Sequence, residues 1–162
     1  MSGDTLQQNQ NTEELRQILQ ENKALLTRVR ETEEELQDLI ARGQARDIQD
    51  MEIKREKLQR EVNDLEERRQ KIVPAGSGVR SYIQEHVAEE ELADFITLLE
   101  EIGGLIYQIQ NHQEVNRSLL HERIRFSREV QELFMPTAKT YDPSGQVNYR
   151  DGNQNFNIDR SC

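Results

Sequence analysis

The chain has 162 residues, 34% hydrophobic, 32% charged and 5% aromatic, with no Trp and a formal net charge of −10. Ordinary globular domains are roughly 45–50% apolar, so these side chains are too few for a thick core but sufficient for a thin seam between long helices. The acidic balance excludes a phosphate-binding surface and adsorption to anionic lipid, and no apolar run approaches the roughly 20 residues of a membrane span.

The opening MSGDTLQQNQ carries no basic, apolar or cleavage region, and no signal peptide is expected. From Leu15 apolar residues recur at Ile18, Leu19, Leu25, Leu26, Val29, Leu36, Leu39 and Ile40. Spacings of three, four and seven place them on one stripe of a helix over 12–42. Asn11 and Glu14 offer a capping box at its start, and Gly43 stands where a helix C-cap belongs. A second helix over 45–72 sets Met51, Leu58, Val62, Leu65 and Ile72 on alternating steps of three and four, with Arg55 and Arg69 in the gaps. Long arginine stems can cover part of such a sparse seam. The two blocks read as an antiparallel hairpin turning near Gly43; the rival is one continuous helix, because the rhythm almost survives across RGQARD.

VPAGSG, residues 73–78, ends the second block, since Pro74 and two glycines cannot extend a helix. Ser81 and Gln84 suit a short helix over 81–87. Three acids at Glu89, Glu90 and Glu91 then suit the positive end of a third long helix, 89–134. Its stripe is Leu92, Phe95, Ile96, Leu99, Ile102, Leu105, Ile106 and Ile109, resuming after QNHQE with Leu119, Leu120, Ile124, Phe126, Val130, Leu133 and Phe134. Unbroken, it would reach roughly 69 Å against about 45 Å for each earlier block. It must therefore overhang them or bend, at Gly103-Gly104 or at 110–114. Pro136 stops it. The fold class is all-α: an elongated antiparallel bundle or coiled coil of three main helices over 1–135, with a flexible tail at 136–162.

Chemistry is hard to assemble. His86, His112 and His121 are scattered and no Glu-x-x-His pair exists for a di-iron bundle. GSG at 76–78 lacks the Lys-Ser/Thr of a phosphate loop. Cys162, the single cysteine, makes neither an internal disulfide nor a zinc site. No catalytic residue, metal or cofactor is expected, and a reduced, cytoplasmic setting follows. No Lys or Arg stands between Arg80 and Arg117, so the acids there are either a docking face for a basic partner or a solvated edge. The face from Leu119 to Phe134 covers roughly half the helix circumference, more than a narrow seam requires. It either closes the bundle against the hairpin or stays open for an amphipathic helix of another protein.

NRSLLHERIRFSREVQELF at 116–134, followed by AKTYDPSGQVN at 138–148, resembles the C-terminal region of FlgN-type flagellar export chaperones. In that family a last helix bears an Asn-x-x-Leu-Leu element, and a short link leads to an aromatic residue, an Asp/Pro/Gly turn and Gln. LQDLIARGQARDIQDMEIKREKLQREVNDLEERR at 36–69 is similar to the family's passage from first to second helix. The resemblance spans roughly residues 12–150. It implies a non-enzymatic chaperone that holds hook–filament junction proteins of the FlgK and FlgL type by their C-terminal helical segments. Premature assembly is thereby prevented, and the clients are delivered to the type III export gate. It also implies Leu119, Leu120, Ile124, Phe126, Val130, Leu133 and Phe134 as the client surface, and Tyr141 as the residue that docks on the gate component FlhA. Neither nucleic acid nor membrane insertion enters this role. The alternative is a structural coiled-coil adaptor or oligomerisation protein with no part in secretion.

Overall fold

The computed structural model describes residues 2–134, 139–141 and 147–149. Four helices, α1 (Ser2–Arg42), α2 (Ala45–Ile72), α3 (Val79–His86) and α4 (Glu89–Phe134), precede two short strands, β1 (Lys139–Tyr141) and β2 (Val147–Tyr149). By their internal contacts the residues divide into two compact units, Met1–Leu119 and Leu120–Cys162.

In the first unit α1 carries two apolar lines, one for each long neighbour. Leu15, Leu19 and Leu26 share a core with Phe95, Ile102, Leu105 and Ile109 of α4, closed by Val73 and Ile83. Leu25 instead packs with Leu58 and Leu65 of α2. Two seven-residue lines meet because steps of three and four bring residues back to one helix face. On α4 the buried Phe95, Ile102, Ile109 and Asn116 follow at steps of seven, and Leu98, Leu105 and His112 form the companion line.

Polar pairs fix the direction of each neighbour. From α1 to α2, Glu21 meets Arg68 at 2.6 Å, Arg28 meets Glu61 at 3.3 Å and Glu35 meets Lys54 at 3.3 Å. Numbers rise on one helix as they fall on the other, so the pair is antiparallel. From α1 to α4, Arg16 meets Glu91 at 2.7 Å, Lys23 meets Glu101 at 2.6 Å and Glu34 meets His112 at 3.4 Å. Both numbers rise together, so these helices are parallel. Exposed pairs of this kind each contribute about 0–1 kcal/mol, and their sum matters mainly for register. The Arg68 hydrogen bond, working against burial and with help from Gln17, lowers the pKa of Glu21.

The reversal between α1 and α2 rests on Gly43. Its φ of 75° is left-handed, a region that costs other L-residues roughly 1–2 kcal/mol. The Gly43 amide donates to the carbonyls of Leu39 and Ile40, and the Gln44 amide donates to Leu39, closing the helix end. A tighter turn, with the Ser77 amide donating to the Pro74 carbonyl at 3.1 Å and Gly76 at φ 91°, separates α2 from α3.

Two helix starts differ from the sequence reading. Helix α1 starts at Ser2 rather than at residue 12. Gln8, in the added stretch, donates through Nε2 to the His86 carbonyl of α3 at 3.4 Å, and Thr12 is buried, so tertiary contact carries the helix past its expected cap. Helix α3 starts at Val79, so Ser81 lies inside it and Gly78 is the cap without a side-chain bond. Helix α4 passes through Gly103-Gly104 and 110–114 without a break. Nothing lies within 4 Å of the Cβ positions of these glycines, so their cost is only the loss of helix propensity. Ile106, expected on the buried stripe, is 42% exposed.

In the second unit, residues 120–134 are helical as the last part of α4. Strands β1 and β2 pair antiparallel, with Lys139 opposite Tyr149 and Tyr141 opposite Val147. The expected flexible tail, 136–162, lies outside the described residues except for these two strands.

Candidate functional site

A buried polar layer crosses the first unit where α1, α2 and α4 meet. Glu33 of α1 is 1% exposed. Its Oε1 accepts hydrogen bonds from Arg55 Nε of α2 at 2.8 Å and from Gln113 Nε2 of α4 at 3.2 Å. Asn116 of α4, 3% exposed, donates through Nδ2 to the Glu33 carbonyl and to Oε2, both at 3.0 Å. Arg55 also spans both carboxylate oxygens of Glu52 at 2.8 and 2.9 Å. Burial opposes the arginine charge, and Glu33 and Glu52 more than offset it, so the pKa of Arg55 lies above its usual value.

In this register the Glu33 carboxylate has partners on both neighbouring helices, while Asn116 Oδ1 is buried without a hydrogen-bond partner. A slide of one helix past another strands a carboxylate in an apolar layer, which costs far more than a lost surface pair. Sequence reasoning left Glu33 and Asn116 off the buried stripe because it followed apolar residues alone. The signal was present: Glu33 stands seven residues from Leu26 and from Ile40, and Asn116 stands seven from Ile109. Asn116 is also the first residue of the Asn-x-x-Leu-Leu element. Its side chain is turned to α1, inside the unit.

After Asn116 no described residue of α4 is buried. Leu119, the last residue of the first unit, is half-buried, as are Leu120 and Val130 of the second. Ile124 is 60% exposed, Phe126 67%, Leu133 77% and Phe134 81%. The side chain of Tyr141 lies outside the described residues; its backbone pairs with Val147.

The acid-rich stretch finds cations within the first unit. Glu91 and Glu101 pair with Arg16 and Lys23 of α1, and Glu100 with Arg80 of α3 at 3.7 Å. These contacts account for several of the acids through the register of α1 on α4. His86 stacks on Tyr82 with ring centroids 4.2 Å apart, and His112 contacts Gln37 and Glu34. Among the described residues no group of three or more His, Cys, Asp or Glu is placed to hold a metal ion. No described helix is long and apolar enough to cross a membrane.

Helices locked in register by a polar layer, with large apolar side chains in water near the end of one of them, define a binding scaffold. The family model described as FlgN protein matches residues 1–148, and the chain belongs to the FlgN family. This is a family of flagellar export chaperones, whose members bind flagellar hook-associated proteins. No curated protein and no solved structure matches the chain.

Proposed function

We propose that this chain holds the C-terminal helical segments of hook–filament junction proteins of the FlgK and FlgL type before export. They would lie on the apolar side chains of α4 between Leu119 and Phe134. Held there, a client cannot assemble early, and the chaperone passes it to the type III export gate. The supporting observation is the exposure of Ile124, Phe126, Leu133 and Phe134, four large apolar side chains within eleven residues of helix. Covering such surface with a client helix is worth about 25 cal/mol per Å², less the cost of ordering the client. Affinity and competition at the gate suffice for release, and no nucleotide is needed.

Two measurements test this reading. A chain carrying Leu120→Glu, Ile124→Glu, Phe126→Glu and Phe134→Glu together should lose binding of a junction-protein C-terminal peptide in calorimetry. Its helical circular dichroism should stay near that of the parent, because these side chains are exposed or half-buried. Retained binding would place the client elsewhere, and unfolding would make the face structural. Tyr141 is the proposed contact with the gate component FlhA, resting on the resemblance of TYDPSGQ to the family's tail. Tyr141→Ala is expected to leave client affinity unchanged while reducing secreted client, with Tyr149→Ala as control. Equal, undiminished secretion from both would remove Tyr141 from the gate contact.

A further inference from the structure

Gly103 and Gly104 stand inside α4, and the helix runs through them unbroken. Two adjacent glycines in a helix need a reason, because each weakens it relative to alanine. Close approach by a neighbouring element is one reason, and it does not apply: nothing lies within 4 Å of either Cβ position. A left-handed backbone is another, and among the described residues the glycines with positive φ are Gly43 and Gly76. Termination is a third, and no turn ends the helix here. What remains is the helix backbone itself, weakened at two exposed positions in a row.

On either side of the pair α4 is tied to α1 independently. Before it, Phe95 and Ile102 lie in the principal core, and Glu91 and Glu101 meet Arg16 and Lys23 at 2.7 and 2.6 Å. After it, Leu105 and Ile109 lie in the same core, and Asn116 donates to the Glu33 carboxylate at 3.0 Å. Each stretch therefore has apolar and polar ties of its own, and the glycines between them have none. The spacing gives a reason for compliance at that place. Seven residues of a straight α-helix fall about 20° short of two turns. Phe95, Ile102, Ile109 and Asn116 nevertheless stay buried at steps of seven, so α4 must adjust along its length to keep them so.

We propose that Gly103-Gly104 is a joint in α4. The helix opens locally there while 89–102 and 105–116 remain on α1, and the two stretches adjust to α1 separately. The amides of residues 104–108, whose helix hydrogen bonds span the pair, then exchange with water without unfolding of the unit. The joint does not rest on client binding and stands or falls on the free chain alone.

Amide hydrogen exchange of the full chain, resolved by residue in NMR, tests this. Relative to their intrinsic rates, amides 104–108 are expected to exchange at least about tenfold faster than amides 95–101. Low urea should leave the faster set unchanged, because a local opening exposes little surface, and should accelerate exchange that passes through global unfolding. Gly103→Ala with Gly104→Ala is expected to slow amides 104–108 by roughly tenfold or more and to bring them level with 95–101. Gln110→Ala, at another exposed position of the same helix, should leave the difference in place. Equal protection of the two sets in the parent, or equal acceleration of both by urea, would overturn the joint. So would a difference that survives the double alanine variant. A double variant less stable than the parent would give the glycines a packing role and would overturn it as well.

Discussion

Phe95→Ala is expected to lower the unfolding free energy by about 3–5 kcal/mol, the usual loss when a buried aromatic is cut to a methyl group. Phe95 is 2% exposed and packs among the residues of α1, α3 and α4 that form the principal core. The Arg16 guanidinium also lies over its ring at 4.9 Å from the centroid, a contact worth roughly 0.5–1 kcal/mol near a surface. A protein with so few aromatic residues has little other volume to fill the cavity. Urea denaturation followed by circular dichroism measures the loss. Ile106→Ala, on the same helix but 42% exposed, should change stability by much less, within about 1 kcal/mol. Comparable losses from the two would mean that the described core does not hold the unit together.

Arg55→Met is expected to cost about 3 kcal/mol, the low end of the range for breaking a buried ion pair. The low end applies because the Arg55 side chain keeps 32% exposure, whereas the Glu33 side chain keeps 1%. Without the guanidinium, the Glu33 carboxylate retains only the neutral amides of Gln113 and Asn116. Adding Glu33→Leu to Arg55→Met should recover most of the loss, since an apolar layer removes the stranded charge. The recovered chain would lack the carboxylate that ties α1 to α2 and α4. Denaturant midpoints of the parent, the single variants and the double variant measure the coupling directly. An Arg55→Met chain as stable as the parent would show that Glu33 accepts water in place of arginine, and the layer would then contribute nothing.

These two expectations concern what holds the scaffold, and they set conditions for reading the binding variants. A substitution at Phe95 or Arg55 acts on the scaffold, and any loss of the proposed client binding there is read as loss of stability. One at Phe126 or Leu133 meets water in the free chain and tests contact alone.

What the sequence determined by itself was local. The steps of three and four marked the three long helices, Gly43 marked the reversal after α1, and Pro74 with its glycines marked the end of α2. Each follows from the geometry of a single chain segment: which side chains share a face, and which residues can leave a helix. The amino-acid order of NRSLL and TYDPSGQ was also sufficient to suggest the family. Tertiary structure decided which faces meet. Helix α1 begins at Ser2, and within its added stretch Gln8 finds a partner at the end of α3, which no cap signal in the first eleven residues announces. Glu33 and Asn116, polar residues that sequence reading leaves in water, are buried because three helices bring Arg55 and two amides to one carboxylate. The Leu119–Phe134 stretch also carries an apolar face, and spacing alone left it open between core and open surface. Within the folded chain Ile124, Phe126, Leu133 and Phe134 are 60–81% exposed, which no spacing rule states. A sequence specifies the period of each helix, but the offset between helices is set only when their side chains pack and pair.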